Sequence, residues 1–289
     1  MLGVHMKKIY FIEGIPGIGK TTLSLTVESL LLRKTKKVKR YEEHSYENPL
    51  DMTRKAILSQ PEYMQLIEKC VALAKGSKYS YNDVVAEIES KTFFDDEYAI
   101  VSYLQPYFKN EAIRQELHKL YSKEICNGCV SEKEYKGLIF SMFYKFSEDA
   151  QDDWIYIFDG AFLQNILLDM TGYYKVSIEC LTIFYNNLLS ILSSFEIVIM
   201  CLYEKNIETI LNRTNSAREN MNWLSNYDDW VSKTNWFEMQ DKYTAHQTGA
   251  SAFSYGLQDT MIDLMHSFSE IEKHFIKARY SNLDLKGVI

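Results

Sequence analysis

Three glycines within six positions, followed by a lysine and two threonines, are the residues of this chain most specialised for chemistry: Gly14-Ile15-Pro16-Gly17-Ile18-Gly19-Lys20-Thr21-Thr22. The spacing Gly-x-x-x-x-Gly-Lys-Thr lets a loop wrap inward until successive backbone N–H groups converge on the oxygens of an anion. Lys20 then reaches the outer phosphates of a polyphosphate, and the Thr21 hydroxyl becomes a ligand for Mg²⁺. The surroundings suit this reading. Apolar Ile9-Tyr10-Phe11-Ile12 reads as a strand, and Leu23, Val27 and Leu30 fall on one helical face. A helix that starts at the loop points its positive end at the same anion.

Ligands of parallel sheets sit outside the carboxyl ends of strands, so the other strand ends supply the remaining candidates. The apolar run Trp154–Asp159 ends in Asp159, a carboxylate able to hold Mg²⁺ directly or through water. A second short strand, Val38–Glu43, ends in Glu42 and Glu43, and either can take the proton of an acceptor hydroxyl. Arg213 and Arg218 follow a third strand, Ile197–Leu202. They lie in a segment whose Ile207, Ile210 and Leu211 share a face and whose "NSAREN" reads as a loosened end. That is a lid arrangement, in which arginines neutralise a transferring phosphoryl group only on closure. Gln164 and Asn165 offer amide donors and acceptors to a neutral polar acceptor, or else merely open a helix. His44 and Arg54, flanking "ENPLD", are further acceptor-side candidates.

Those residues need elements to position them. The 289 residues are enough for a full core, and 46% apolar composition makes the chain globular. We expect an α/β, doubly wound, mostly parallel sheet over residues 1–289 as a single domain. A large helical insertion at about 52–150 is expected to cover the phosphate end of that sheet. Within it, Ser59-Gln60-Pro61 opens one helix that Gly76 ends, and further helices are expected at about 81–90, 95–105, 110–125 and 131–149. A last helix is expected over about 257–278, with Val288-Ile289 as a final edge. Tyr98, Tyr103 and Tyr107 read as a tyrosine-rich core of the insertion or as stacking groups for an acceptor.

Charge and cysteine usage narrow the partners. A net charge of −7 argues against a broad nucleic-acid footprint, although Arg33, Lys34, Lys36, Lys37, Lys39 and Arg40 form one basic cluster. Five cysteines at irregular spacing fit a reducing compartment, and Cys126-Asn127-Gly128-Cys129 lacks the second pair a zinc site needs. No apolar run approaches a membrane span and no signal-peptide core is visible, so a cytoplasmic location is expected. Met1–His5, ahead of Met6-Lys7-Lys8, read as a cloning remnant or an alternative start.

The order strand, "GIPGIGKTT", strand ending in Glu, insertion, strand ending in "FDG", strand, "ILNRTNSARE" resembles the nucleoside and nucleotide kinase branch of the P-loop proteins. The thymidylate and deoxynucleoside kinases belong to that branch. More closely, "FIEGIPGIGKTT", "YEEHSYENPLD", "IYIFDGAFLQN" and the Trp223–Trp236 region are similar to an uncharacterised group of bacterial P-loop proteins. The resemblance implies ATP bound by Gly14, Gly17, Gly19, Lys20, Thr21 and Thr22, with Arg213 and Arg218 as lid residues. One departure is informative: the kinases carry an arginine after the acid of the third motif, whereas this chain has Asp159-Gly160-Ala161. A nucleoside or nucleoside monophosphate acceptor therefore loses its usual grip.

The expected activity is transfer of the γ-phosphate of Mg-ATP to a small-molecule acceptor. Two alternatives stay open: an ATP-binding or hydrolysing switch or assembly protein, and a kinase acting on an RNA-linked acceptor, suggested by the basic cluster. No guanine-reading Asn-Lys-x-Asp motif is present.

Overall fold

The computed structural model describes residues 7–94, 97–104, 108–126, 128–218, 221–234 and 249–278. The expectations for Met1–His5, Tyr107, Asn127, the Glu219-Asn220 end of the lid, Trp236 and the Val288-Ile289 edge lie outside the described residues.

The chain divides into two compact units, His44–Met142 and the remainder. It begins with strand β1 (Lys7–Glu13), helix α1 (Lys20–Leu31) and strand β2 (Val38–Tyr41). The second unit then contributes β3 (Lys55–Ser59), α2 (Gln60–Ala74), α3 (Tyr81–Glu89), β4 (Thr92–Phe94), β5 (Tyr98–Ser102), α4 (Glu111–His118) and a 3₁₀ turn, Lys119–Lys123. Helix α5 (Glu132–Asp149) leads back to the first unit, which continues with β6 (Ile155–Asp159), α6 (Gln164–Gly172), α7 (Ile178–Ile191) and β7 (Phe195–Tyr203). The described residues close with α8 (Ile207–Ala217), α9 (Trp223–Lys233), α10 (Gly249–Ser267) and β8 (Glu272–Lys277).

In the first unit the strands form one sheet in the order β2-β6-β1-β7-β8, and each described pairing is parallel. Helices flank the sheet, so this is the expected α/β class with a parallel sheet. Parallel strands covered on both faces read as continuous apolar runs, and β1, β6 and β7 do. Ile9, Phe11, Ile12, Ile157, Phe158, Val198 and Ile199 are each fully buried. Phe158 anchors the centre, stacked on Tyr41 at 4.8 Å and Phe11 at 5.6 Å, with Phe146 edge-on at 5.1 Å. Register does the functional work. Tyr41 pairs Phe158, Ile12 pairs Asp159 and Glu13 pairs Cys201, so β2, β6 and β1 finish within two residues of one another, and β7 runs two residues past the end of β1. The chain leaves β1 toward β2 and leaves β7 toward β8, in opposite directions, which opens a crevice between those two strand ends.

The second unit corrects the expected all-helical insertion. Segments 81–90, 110–125 and 131–149 are helical as expected, and Ser59 caps α2 through a reciprocal Ser59–Glu62 box with Pro61 in the first turn. The helix expected at 95–105 is instead strand β5, and β3 precedes α2. With β4 they make an antiparallel sheet in the order β3-β5-β4. This sheet packs on its own core of Ala56, Leu58, Leu66, Ile67, Ala99 and Val101. Five-residue strands leave little periodic signal, and β3 is stabilised by a partner far away in sequence, Lys55 opposite Ser102. Tyr103 is buried there and donates its hydroxyl to Glu124 at 2.8 Å, which favours the core reading for that tyrosine.

The last helix also differs: α10 ends at Ser267, Glu270 takes a positive φ of 59°, and residues 272–277 form edge strand β8. Exposed Glu272 and Lys277 charge that edge against further pairing. The β6-to-β7 connection holds two helices, α6 and α7. No helix among the described residues is long and apolar enough to cross a membrane.

Replacing Phe158 by Ala should cost about 3–5 kcal/mol, because it removes a fully buried ring that stacks on two others and meets a third edge-on. Denaturant midpoints at unchanged m-value read the loss.

Candidate functional site

The loop between β1 and α1 depends on its glycines. Gly14, Gly17 and Gly19 have φ of 145°, 80° and 112°, conformations that side chains resist. At Gly17 space is also missing: a Cβ there would stand 2.2 Å from Thr214 Oγ1. Gly19 caps α1 in a left-handed conformation, and Ile15 and Ile18 bury their side chains beneath the loop. The first N–H groups of α1, at Lys20, Thr21 and Thr22, have no partner within their own helix. Loop and helix start therefore present backbone donors and positive dipole to one place, which is the arrangement of an anion site.

Lys20 is 5% exposed, an unusual burial for an ammonium. Its Nζ donates to Gln164 Oε1 at 2.5 Å and lies 3.7 Å from Glu43 Oε2. Gln164, itself buried, donates from Nε2 to Glu43 Oε1 at 2.8 Å and to Asn165 Oδ1 at 3.0 Å. Gly160, with φ 69°, lets this group close up, since a Cβ there would sit 3.0 Å from Lys20 Cε. Asp159 is completely buried at the end of β6, and neither of its carboxylate oxygens has a hydrogen-bond partner. Burial raises its pKa, against the opposing pull of Lys20 and of the Thr21 hydroxyl, which is near enough to favour the charged form without completing a hydrogen bond. The Asn165 amide nitrogen is likewise buried and unpartnered. Thus Lys20, Glu43, Asp159, Gln164 and Asn165, expected from four separate segments, do come together.

The two neighbouring glutamates separate. Arg40 donates to Glu28 at 3.1 Å and to Glu42 at 2.6 Å, so Glu42 is engaged outward while Glu43 faces Lys20. The same pairings thin the basic cluster: Lys37 contacts Asp153 and Lys39 lies over Tyr41.

Helix α8 meets the loop directly. Arg213 Nη2 donates to the Gly17 carbonyl at 3.0 Å, and burial lowers the Arg213 pKa. Thr214 packs on Gly17 and donates weakly to the same carbonyl at 3.4 Å. Arg218 is exposed at the helix end, its guanidinium 5.6 Å from the Trp223 ring centre, and the structure does not bring it to the Lys20 group. His44 and Arg54 belong to the second unit, where both are exposed and adopt positive φ. His44 donates its N–H to Asp51 at 2.6 Å and its ring meets Thr53 at 2.7 Å; Arg54 donates its N–H to Glu124 at 2.8 Å. Both thus shape local turns.

Glu13 was not among the expected residues. Completely buried, it accepts the N–H groups of Phe162 at 2.8 Å and Gln164 at 2.9 Å. Burial pushes its carboxyl up to about 7, against the lowering effect of those N–H groups and of Lys20. The signal was available: a carboxylate inside an otherwise apolar strand run, one residue before the first loop glycine.

For Mg²⁺ the donor set fits in part from protein and in part from a ligand. Asp159 supplies an unpartnered buried carboxylate and Thr21 a hydroxyl, a small set of hard oxygens of the kind Mg²⁺ takes alongside phosphates. No group of three or more His, Cys, Asp or Glu among the described residues can hold a metal alone. The chain matches no protein-family model and no curated protein.

Glu13 makes stability pH-dependent in a definite sense. Its folded pKa of about 7 lies above the ordinary 4.5, so the folded state holds the proton longer and stability is lost as pH rises from about 4.5 to about 7. Glu13→Gln should flatten that slope, with up to about 3 kcal/mol at stake, leaving a remainder from Asp159. Thermal unfolding between pH 4.5 and 8 measures both slopes; parallel curves would contradict the assignment.

Proposed function

We propose that this chain is an ATP-dependent phosphotransferase of the P-loop kinase kind, which moves the γ-phosphate of Mg-ATP to a hydroxyl of a small-molecule acceptor. One observation carries the reading. A buried lysine at the first position of α1 and a buried, unpartnered aspartate at the end of β6, the strand paired with β1, flank the glycine loop that joins β1 to that helix. Phosphoryl transfer needs mostly positioning and charge neutralisation, and these are the groups for it.

In this reading the loop N–H groups from Gly14 to Thr22 cradle the phosphates, and Lys20 turns from Gln164 to the outer ones. Mg²⁺, held by Thr21 and Asp159, would supply further neutralisation of phosphate charge. The acceptor oxygen attacks the γ-phosphorus, the bond to the bridging β–γ oxygen breaks, and ADP leaves. Glu43 takes the acceptor's proton, since Glu42 is committed to Arg40. Arg213, already beside Gly17, is the nearer of the two lid arginines and neutralises the equatorial oxygens. Gln164 and Asn165 give the acceptor side amides in place of a cation, which suits a neutral polar molecule over a phosphorylated one.

A second reading, a switch in which hydrolysis resets a conformation, draws on the direct contact of α8 with the loop. ADP release separates the two: a kinase is slow alone and stimulated by its acceptor, whereas a switch turns over by itself. Assays with ATP and Mg²⁺ alone, with a protein-free metabolite extract and with total tRNA should show stimulation by the metabolites only. Lys20→Ala should abolish it, and Asp159→Asn should reduce it by about 10²-fold or more. Stimulation by tRNA would move the acceptor to RNA, and turnover independent of both pools would favour the switch.

A further inference from the structure

Glu13 ends β1, yet both its oxygens grip the turn that follows β6. Facing it are Lys20 from α1, Tyr185 from α7 and Cys201 from β7. That turn is fastened twice more: Gly160 N–H donates to the Ile12 carbonyl at 2.9 Å, and the Tyr185 hydroxyl to the Leu163 carbonyl at 3.4 Å. A wholly buried carboxylate is an expensive way to satisfy two amides, and an apolar strand end would avoid the desolvation. What the carboxylate adds is a two-point grip, on Phe162 and on Gln164 two residues later. It sets where the Gln164 side chain starts, and that side chain is the shared partner of Lys20, Glu43 and Asn165.

We propose that Glu13 is a positioning residue of the site: it fixes the turn after β6 so that the Gln164 carboxamide meets Lys20 Nζ and Glu43. The effect on turnover rests on the phosphotransfer reading, whereas the grip on the turn does not. Glu13→Gln keeps the size of the side chain but replaces one accepting oxygen with an NH₂ that cannot accept an N–H.

Two measurements on the full chain test this. In Glu13→Gln, hydrogen exchange at the Phe162 and Gln164 amides should accelerate about tenfold or more, with Ile157 in mid-strand unchanged. In a cycle with Gln164→Ala, Glu13→Gln should lower kcat about five- to tenfold in the native background, leave KM for ATP within about twofold, and add nothing once Gln164 is gone. Unchanged exchange at the two amides overturns the proposal, and so do effects that multiply in the double variant. Should the native chain transfer no phosphate at all, the phosphotransfer reading fails, and amide exchange still decides the grip. If Glu13→Gln does not fold, Glu13→Asp, one methylene shorter, should show the same local acceleration.

Discussion

An ammonium taken out of water must be met by acceptors, and Lys20 imposes that demand on everything around it. Its neighbours are carboxylates from three strand ends: Glu13 from β1, Glu43 after β2 and Asp159 from β6. One lysine among three buried or half-buried acids leaves negative charge in excess, and burial accordingly holds protons on Glu13 and Asp159 beyond the ordinary carboxylate range. Gln164 is the residue type that such a group requires, since a carboxamide both accepts from the lysine and donates to the acid. Gly160 follows from the same demand, because any side chain there would meet Lys20.

The parallel register supplies the other half of the explanation. Nearly level strand ends bring residues that are far apart in sequence, Glu13, Glu43 and Asp159, to one edge of the sheet. The consequence is that the site is built from backbone termini of buried strands, which are among the stiffest places in an α/β protein. Arg40 adds a selection step: two residues before Glu42, it draws that acid to its own side of β2 and leaves the next residue to the lysine.

The glycine loop, β1, β6 and β7 were legible in the sequence, because each is an apolar run or a fixed spacing that local geometry explains; β2, four half-polar residues, was legible from its place between the first helix and the ENPLD loop. Gathering Lys20, Glu43, Asp159 and Gln164 was legible for the same reason, since strand ends of one parallel sheet must converge. β3, β5 and β8 were not. They are short, half polar or flanked by helical patterns, and they exist because distant segments pair with them. Glu13 was overlooked because a reading of alternation and apolar runs treats one acid at a strand end as punctuation; only the positions of the Phe162 and Gln164 amides show its partners. Arg218 shows the limit of the lid pattern in another way: the sequence groups it with Arg213, whereas the structure lays its guanidinium over the Trp223 ring.

The contact between Thr214 and Gly17 leaves no clearance for a methyl group. Helix α8 therefore rests on the main chain of the loop through the Thr214 side chain, with no loop side chain between them, and Arg213 and Thr214 both donate to the Gly17 carbonyl. A helix fastened to a loop peptide by two short-range side chains cannot slide independently of it: any swing of α8 strips a hydrogen-bond donor from the carbonyl of Gly17, which leads into Ile18 and Gly19. Loop shape and helix angle are thus a single mechanical coordinate, and whatever α8 is attached to at its far end has leverage on the first turn of α1.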